Sequence, residues 1–248
     1  MTNFDRSNGY VLTGDAALYH EVHISPNTKA PYMILLHGNG EDLHIFDDLI
    51  GCLIPHCSLI AVDTRHHGRS SQGMRELSYE LFAEDLFALV NELGIDRFLV
   101  LGFSDGAITA LEFAMRHREH LSAMILVGAN ISPAGLTFFT RTSLLLLSVV
   151  QKTRDLLTRK RRDATRFTDL MLTQPQISCE QLEELSVPAL VVHGEFDMIK
   201  NSHSALIASS LPQARRVMIS GASHFVMKDR PQEFERVILD FLQEIAVK

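Results

Sequence analysis

Five short, almost wholly apolar runs punctuate the chain: Tyr32–Leu36, Ser58–Val62, Phe98–Leu101, Ala123–Val127 and Pro188–His193. A run without polar alternation fits a strand covered on both faces, the condition inside a parallel sheet. Stretches with helical spacing separate or follow them: Ile45–Ile54, Leu81–Leu93 stopping at Gly94, Ser104 to about His117, Ser202–Leu211 and Pro231–Ile245. Arg216–Ile219 reads as one more strand, and Tyr10–Thr13 and Ala17–His23 as a hairpin turning at Gly14-Asp15. This alternation predicts an α/β fold with a mostly parallel central sheet and helices on both faces. At 248 residues the chain is long enough to bury a full core without a disulfide or metal.

One segment breaks the rhythm. Residues 131–186 contain no buried-strand pattern, only helical spacing with basic and apolar residues mixed. That is too long for a loop and short for an independent domain. It is expected to be a helical lid or cap inserted into a core made of residues 1–130 and 187–248. Within it, Phe138, Phe139 and Leu144-Leu145-Leu146-Leu147 are candidates to face an acyl or aromatic part of a substrate. The basic cluster Arg159-Lys160-Arg161-Arg162 reads as a solvated helix face; a membrane-surface role is the weaker alternative, since the chain as a whole is acidic.

Composition removes several classes. A net charge of −7 argues against a nucleic-acid partner held by phosphate neutralisation. Cys52, Cys57 and Cys179 have no metal-ligand or disulfide-framework spacing. The opening residues Met1–Arg6 lack the parts of a secretory signal, and no apolar run reaches the length of a membrane span. A cytoplasmic protein without stable membrane insertion is expected.

Gly102-Phe103-Ser104-Asp105-Gly106 lies between the strand Phe98–Leu101 and a helix. In that context, small residues at both ends permit a sharp turn that exposes a serine oxygen above the helix N-terminus. The bland alternative is a serine N-cap in a glycine turn. A nucleophilic serine needs a base, and the base an orienting acid. His224 follows the strand Arg216–Ile219, and Asp197 follows Pro188–His193, on loops at strand ends. His203 falls inside a helix, Glu195 lies too close to its strand, and Asn130 cannot supply a charge. Ser104, Asp197 and His224 are therefore the candidate triad. His37-Gly38-Asn39-Gly40 supplies a flexible backbone after Tyr32–Leu36, so the N–H groups of Asn39 and Asp105 are the candidate oxyanion donors. No P-loop or dinucleotide fingerprint is present, and no metal or organic cofactor is implied.

With these motifs in order, the chain resembles the α/β-hydrolase fold family from its hairpin to its last helix. His37-Gly38, Asp63-Thr64-Arg65-His66-His67-Gly68-Arg69-Ser70, the Ser104 turn, Gly194…Asp197 and Gly221…His224 carry the resemblance. It implies a serine hydrolase acting on a small carboxylic ester, thioester or amide, and gives Arg65 and His66 structural roles only. The turn Gly-Phe-Ser-Asp-Gly-Ala is similar to that of the valacyclovir-hydrolase-like branch, where the acid after the serine receives an α-ammonium. Asp105 is thus a candidate substrate contact, against the simpler reading of an acid favoured by a helix dipole. The same frame also carries slow-turnover ligand receptors, whose mark would be an exposed apolar patch on the lid, and non-hydrolytic lyases and acyltransferases.

Overall fold

The computed structural model describes residues 5–159 and 162–246. Met1–Phe4 of the opening segment and Lys160 and Arg161 of the basic cluster lie outside the described residues. Eight strands form one sheet: β1 (Arg6–Thr13), β2 (Ala16–His23), β3 (Tyr32–Leu36), β4 (Ser58–Val62), β5 (Phe98–Phe103), β6 (Leu121–Val127), β7 (Ala189–Phe196) and β8 (Ala214–Ser223). Their spatial order is β1-β2-β4-β3-β5-β6-β7-β8. From β4 through β8 every pairing is parallel, while the β1–β2 hairpin adds antiparallel to β4.

The apolar runs are buried on both faces, as their sequence requires. Met33 and Leu35 of β3 join one core with Leu99, Leu101, Ile125 and Val127, while Ile34 and Leu36 join the opposite core with Val100 and Leu126. The first core is closed by α1 (Asp47–Leu53) and, at the far end of the chain, by the helix Pro231–Ala246. The second is closed by α2 (Tyr79–Glu92) and α3 (Asp105–His117). The N-terminus of α2 is fixed by Ser78, whose Oγ accepts the N–H of Leu81 at 3.0 Å, and Gly94 follows with a φ of +67°.

Two expected elements change at their edges. β1 begins at Arg6 rather than Tyr10, because its polar first half is held by ladder bonds to β2 and by an Arg6–Glu21 ion pair. The expected helix 45–54 is divided into a 3₁₀ turn, Leu43–Phe46, and α1; the Asp42 side chain caps the turn by accepting the N–H of His44 at 3.0 Å.

Between β6 and β7 the chain forms α4 (Phe138–Thr158), α5 (Asp163–Thr173) and α6 (Cys179–Glu183), with no strand among the described residues. After β7 come α7 (Asn201–Ser210), α8 (Val226–Asp229) and α9, the Pro231–Ala246 helix. Arg65, wholly buried, ties the hairpin to α2: its guanidinium donates to Asp85 at 2.6 and 2.7 Å and to Asp15 at 3.1 Å.

Candidate active site

β3 and β5 are neighbours in the sheet although β4 and α2 lie between them in sequence, and Leu36 pairs with Gly102. The chain turns away on opposite sides of this point, which leaves a crevice at the carboxyl ends of the strands. The His37–Gly40 loop and the Ser104 turn therefore stand side by side.

Ser104 has φ +53° and ψ −115°, a conformation that non-glycine residues avoid. The turn is held by the Ser104 N–H on Val127 O at 2.8 Å and by the Ala107 N–H on Ser104 O at 2.9 Å. Both flanking glycines are required by space: a Cβ on Gly102 would stand 2.3 Å from Gly106 O, and one on Gly106 would stand 2.1 Å from Leu36 O. The serine is thus lifted out of the sheet plane and left half-buried rather than capping α3 with its side chain.

His224 reaches the same strand end from the loop after β8. Its ring lies against Gly128, where an added Cβ would meet Cε1 at 2.6 Å, one residue past the carbonyl that holds Ser104. His224 Nδ1 is 2.7 Å from Asp197 Oδ1, and both side chains are buried. The opposite ring nitrogen, Nε2, is buried without a hydrogen-bond partner. Burial by itself would raise the Asp197 carboxyl, but the His224 ring and the N–H groups of Ile199 and Gly194 hold it below the ordinary range. The rival residues are occupied elsewhere. Glu195 is exposed and accepts from Ser220 and Gly221 at 2.8 Å; His203 accepts the Ile131 N–H at 3.1 Å; Asn130 donates to Ser132 O at 3.0 Å.

Among the described residues no hydrogen bond takes up the backbone N–H of Asn39 or of Asp105. The loop carrying Asn39 is shaped by two neutral histidines. His37 donates through Nδ1 to Gly38 O at 2.7 Å and accepts the Thr64 N–H at 3.1 Å. His67 accepts the Gly40 N–H through Nε2 at 3.1 Å, with Nδ1 3.1 Å from Arg65 O. Burial lowers both rings to about 4, so they act as uncharged struts. From the 131–186 segment, Phe167 of α5 packs on His67 at 4.6 Å, and Met171 accepts a hydrogen bond from the Asn39 side chain at 3.4 Å.

Two further groups at this site, Tyr79 and Glu41, carried no local sequence signal. Tyr79, the first residue of α2, donates its hydroxyl to Asp105 Oδ1 at 2.9 Å. Asp105 stands in the first turn of α3, and it is buried there: Oδ2 has neither partner nor solvent contact, and burial raises the carboxyl to about 6 against the opposing bond from Tyr79. Glu41 brings a second bare carboxylate oxygen, Oε2, to the same side of Gly38 as Ser104, and burial raises it as well. A cavity of about 610 Å³ opens beside Glu41, lined also by His67, Met227 and Lys228; it meets the His37–Gly40 loop at Gly40. Phe138 and Phe139, expected to face substrate, stand 74% and 82% exposed at the start of α4 with their rings against each other. The crevice does not draw them in because α4 presents its polar side to the protein.

Among the described residues no group of three His, Cys, Asp or Glu side chains is placed to hold a metal, and no helix is long and apolar enough to cross a membrane.

Residues 31–176 match the family described as alpha/beta hydrolase fold. A pimeloyl-[acyl-carrier protein] methyl ester esterase of Yersinia enterocolitica is 24% identical, over 86% of this chain and 93% of its own. The mouse sn-1-specific diacylglycerol lipase ABHD11 is 26% identical over 94% of this chain and 83% of its own. The enol-lactonase of Burkholderia xenovorans LB400 superposes with a TM-score of 0.78 at 20% identity, covering 95% of this chain and 100% of that one. The chain is an enzyme of the α/β-hydrolase fold family.

Proposed function

We propose that this enzyme hydrolyses a small carboxylic ester, thioester or amide through an acyl-enzyme on Ser104. The observation that carries the reading is the His224 ring, anchored at Nδ1 by Asp197 and bare at Nε2, set against the strand end that holds Ser104. Asp197 keeps the Nδ1–H tautomer, which leaves Nε2 as the only basic ring nitrogen.

Ser104 Oγ attacks the acyl carbon as His224 Nε2 takes its proton. The oxyanion is held by the N–H groups of Asn39 and Asp105, both without acceptors in the resting chain. The tetrahedral intermediate collapses, and His224 returns the proton to the departing alcohol, thiol or amine. Water, deprotonated by the same nitrogen, then cleaves the acyl-enzyme and releases the acid. Residues 131–186 act as the cap, whose α5 closes on the oxyanion loop through Phe167 and Met171.

A second reading, a slow ligand receptor on the same frame, is favoured by one observation: α4 turns an apolar face to solvent. Turnover separates the two. Short p-nitrophenyl esters, assayed alongside a serine-directed fluorophosphonate, should be hydrolysed with repeated turnover and label Ser104. Labelling without turnover across esters, thioesters and lactones would instead assign the receptor role.

A further inference from the structure

We propose that the outward face of α4 docks reversibly on a lipid surface carrying anionic headgroups. The inference does not depend on the hydrolytic reading, since no part of it involves Ser104 or His224.

The helix is built the wrong way round for a helix that packs on a core. Its buried side chains are Ser148, Gln151 and Asp155. Asp155 accepts from Thr165 Oγ1 at 2.6 Å and from the Arg162 N–H at 3.2 Å, and Lys152 pairs with Asp169 of α5 at 2.7 Å. Polar contacts thus hold α4 to α5, and the apolar residues are left outside. Phe139, Leu146, Val149, Val150, Leu156 and Leu157 are all at least 65% exposed. At 100° per residue they fall in one stripe, with the similarly exposed Phe138 at its end. A stripe this long is not what a surface left to water displays.

Charge decides what covers it. Residues 138–162 hold seven Lys and Arg and a single acid, Asp155, a net +6 in a chain of net −7, so the rest of the chain carries −13. Arg141 lies along one edge of the apolar stripe, with Lys152 three turns on, paired to Asp169, and Arg159 at the C-cap beyond. Arg154, paired to Asp155, lies at the other edge. An apolar stripe bordered by cations is the pattern of a helix lying in the plane of a membrane interface, with its apolar side among the acyl chains and its charges at the headgroups. A second copy is a poor occupant, because a two-fold contact would set one basic border against another. At 21 residues α4 offers about 30 Å of such a face. Its partner α5 packs on the oxyanion loop, so docking would bring the crevice to the lipid surface.

The test uses the whole chain and flotation with vesicles of phosphatidylcholine alone or with about a third phosphatidylglycerol. The protein should float with the anionic vesicles only, and binding should fall at least about tenfold in high salt. Leu146→Glu with Val149→Glu should abolish flotation while circular dichroism and Tm stay unchanged, because both positions are exposed. Arg141→Gln and Arg159→Gln should each weaken it by about fivefold. Failure to float with anionic vesicles would overturn the proposal, as would flotation that survives the double glutamate variant. A concentration-dependent dimer in sedimentation that this variant dissolves would give the face to a second copy instead.

Discussion

α3 follows β5 across the single residue Ser104, and α4 follows β6 after a ten-residue connection; the two helices are opposite in construction. Ten of the thirteen residues of α3 are buried, and only three of the twenty-one of α4, all polar. α3 spends its apolar side chains on the sheet and so fixes the turn in which Ser104 stands. α4 keeps its apolar side chains outside and is held by Asp155 and Lys152. The contrast teaches that the two helices serve different ends: one fixes the turn of the proposed nucleophile, and the other presents a surface.

The largest expected effect is at the site that α3 supports. Ser104→Ala should lower kcat/KM on p-nitrophenyl esters by roughly 10⁴-fold or more with the fold unchanged, read from initial rates and circular dichroism. Activity that survives would remove the mechanism. No substitution on the outer face of α4 should approach this on a soluble substrate.

Stability should divide the two helices next. Phe113 of α3 is fully buried, its ring 5.5 Å from that of Phe98. Phe113→Ala should cost about 3–5 kcal/mol, by the lost transfer energy and the cavity it leaves. Leu156→Ala removes a side chain that is 79% exposed and should change stability by less than about 0.5 kcal/mol. Urea denaturation of the two variants measures both; a comparable loss in each would mean that α4 is packed like α3.

Acid should act on the His37–Gly40 loop before it acts on α4. His37 and His67 are held to about 4 when folded, against an ordinary 6.5 in the unfolded chain. A depressed folded value means that the unfolded chain binds the proton first. The stability these rings contribute is present above pH 6.5 and is lost as pH falls toward 4, by on the order of 3 kcal/mol for each ring. His67→Gln keeps an acceptor for the Gly40 N–H and should flatten this dependence. An unchanged slope between pH 6.5 and 4 in urea titrations would mean that the ring is not neutral in the folded chain.

The sheet and the turn around Ser104 were legible because each has a short-range cause. Short apolar runs bounded by turn residues fit strands covered twice, and the glycines around Ser104 mark a turn where a Cβ would clash. The ends of β1 and β8 were not legible, since ladder bonds extend a strand past the point where its apolar pattern stops. Tyr79 on Asp105 and His67 on Gly40 join residues 26 and 27 apart, and only the packed fold brings them together. The orientation of α4 was hidden for another reason. Helical spacing tells which residues share a face, but not whether that face turns in or out, and Phe138 and Phe139, candidates to face a substrate beneath a lid, turn to solvent.

Asp105 gives the smallest expected effect and the finest test of how α3 is built. Its carboxyl is raised to about 6 by burial, above the 3.8 of an open carboxylate. A raised folded value means that the folded chain keeps the proton longer. The contribution of this group is therefore present below pH 4 and lost as pH climbs through 6, opposite in sign to the two histidines. Asp105→Asn removes the buried charge and keeps an oxygen for the Tyr79 hydroxyl, but leaves an amide N–H unpartnered where Oδ2 was. The net result should be a gain of about 1 kcal/mol at pH 8 and none at pH 4, measured by urea denaturation. Kinetics should hardly respond, because the backbone N–H of residue 105 is untouched. Oδ1 is engaged by Tyr79 and Oδ2 is sealed from solvent, so no substrate ammonium reaches the carboxylate in this conformation. Aminoacyl esters and matched esters without the amine should therefore change together, by less than about threefold. A selective loss of the aminoacyl ester would show instead that α3 opens to admit a cation beside Ser104, and that its packing is less closed than its ten buried residues indicate.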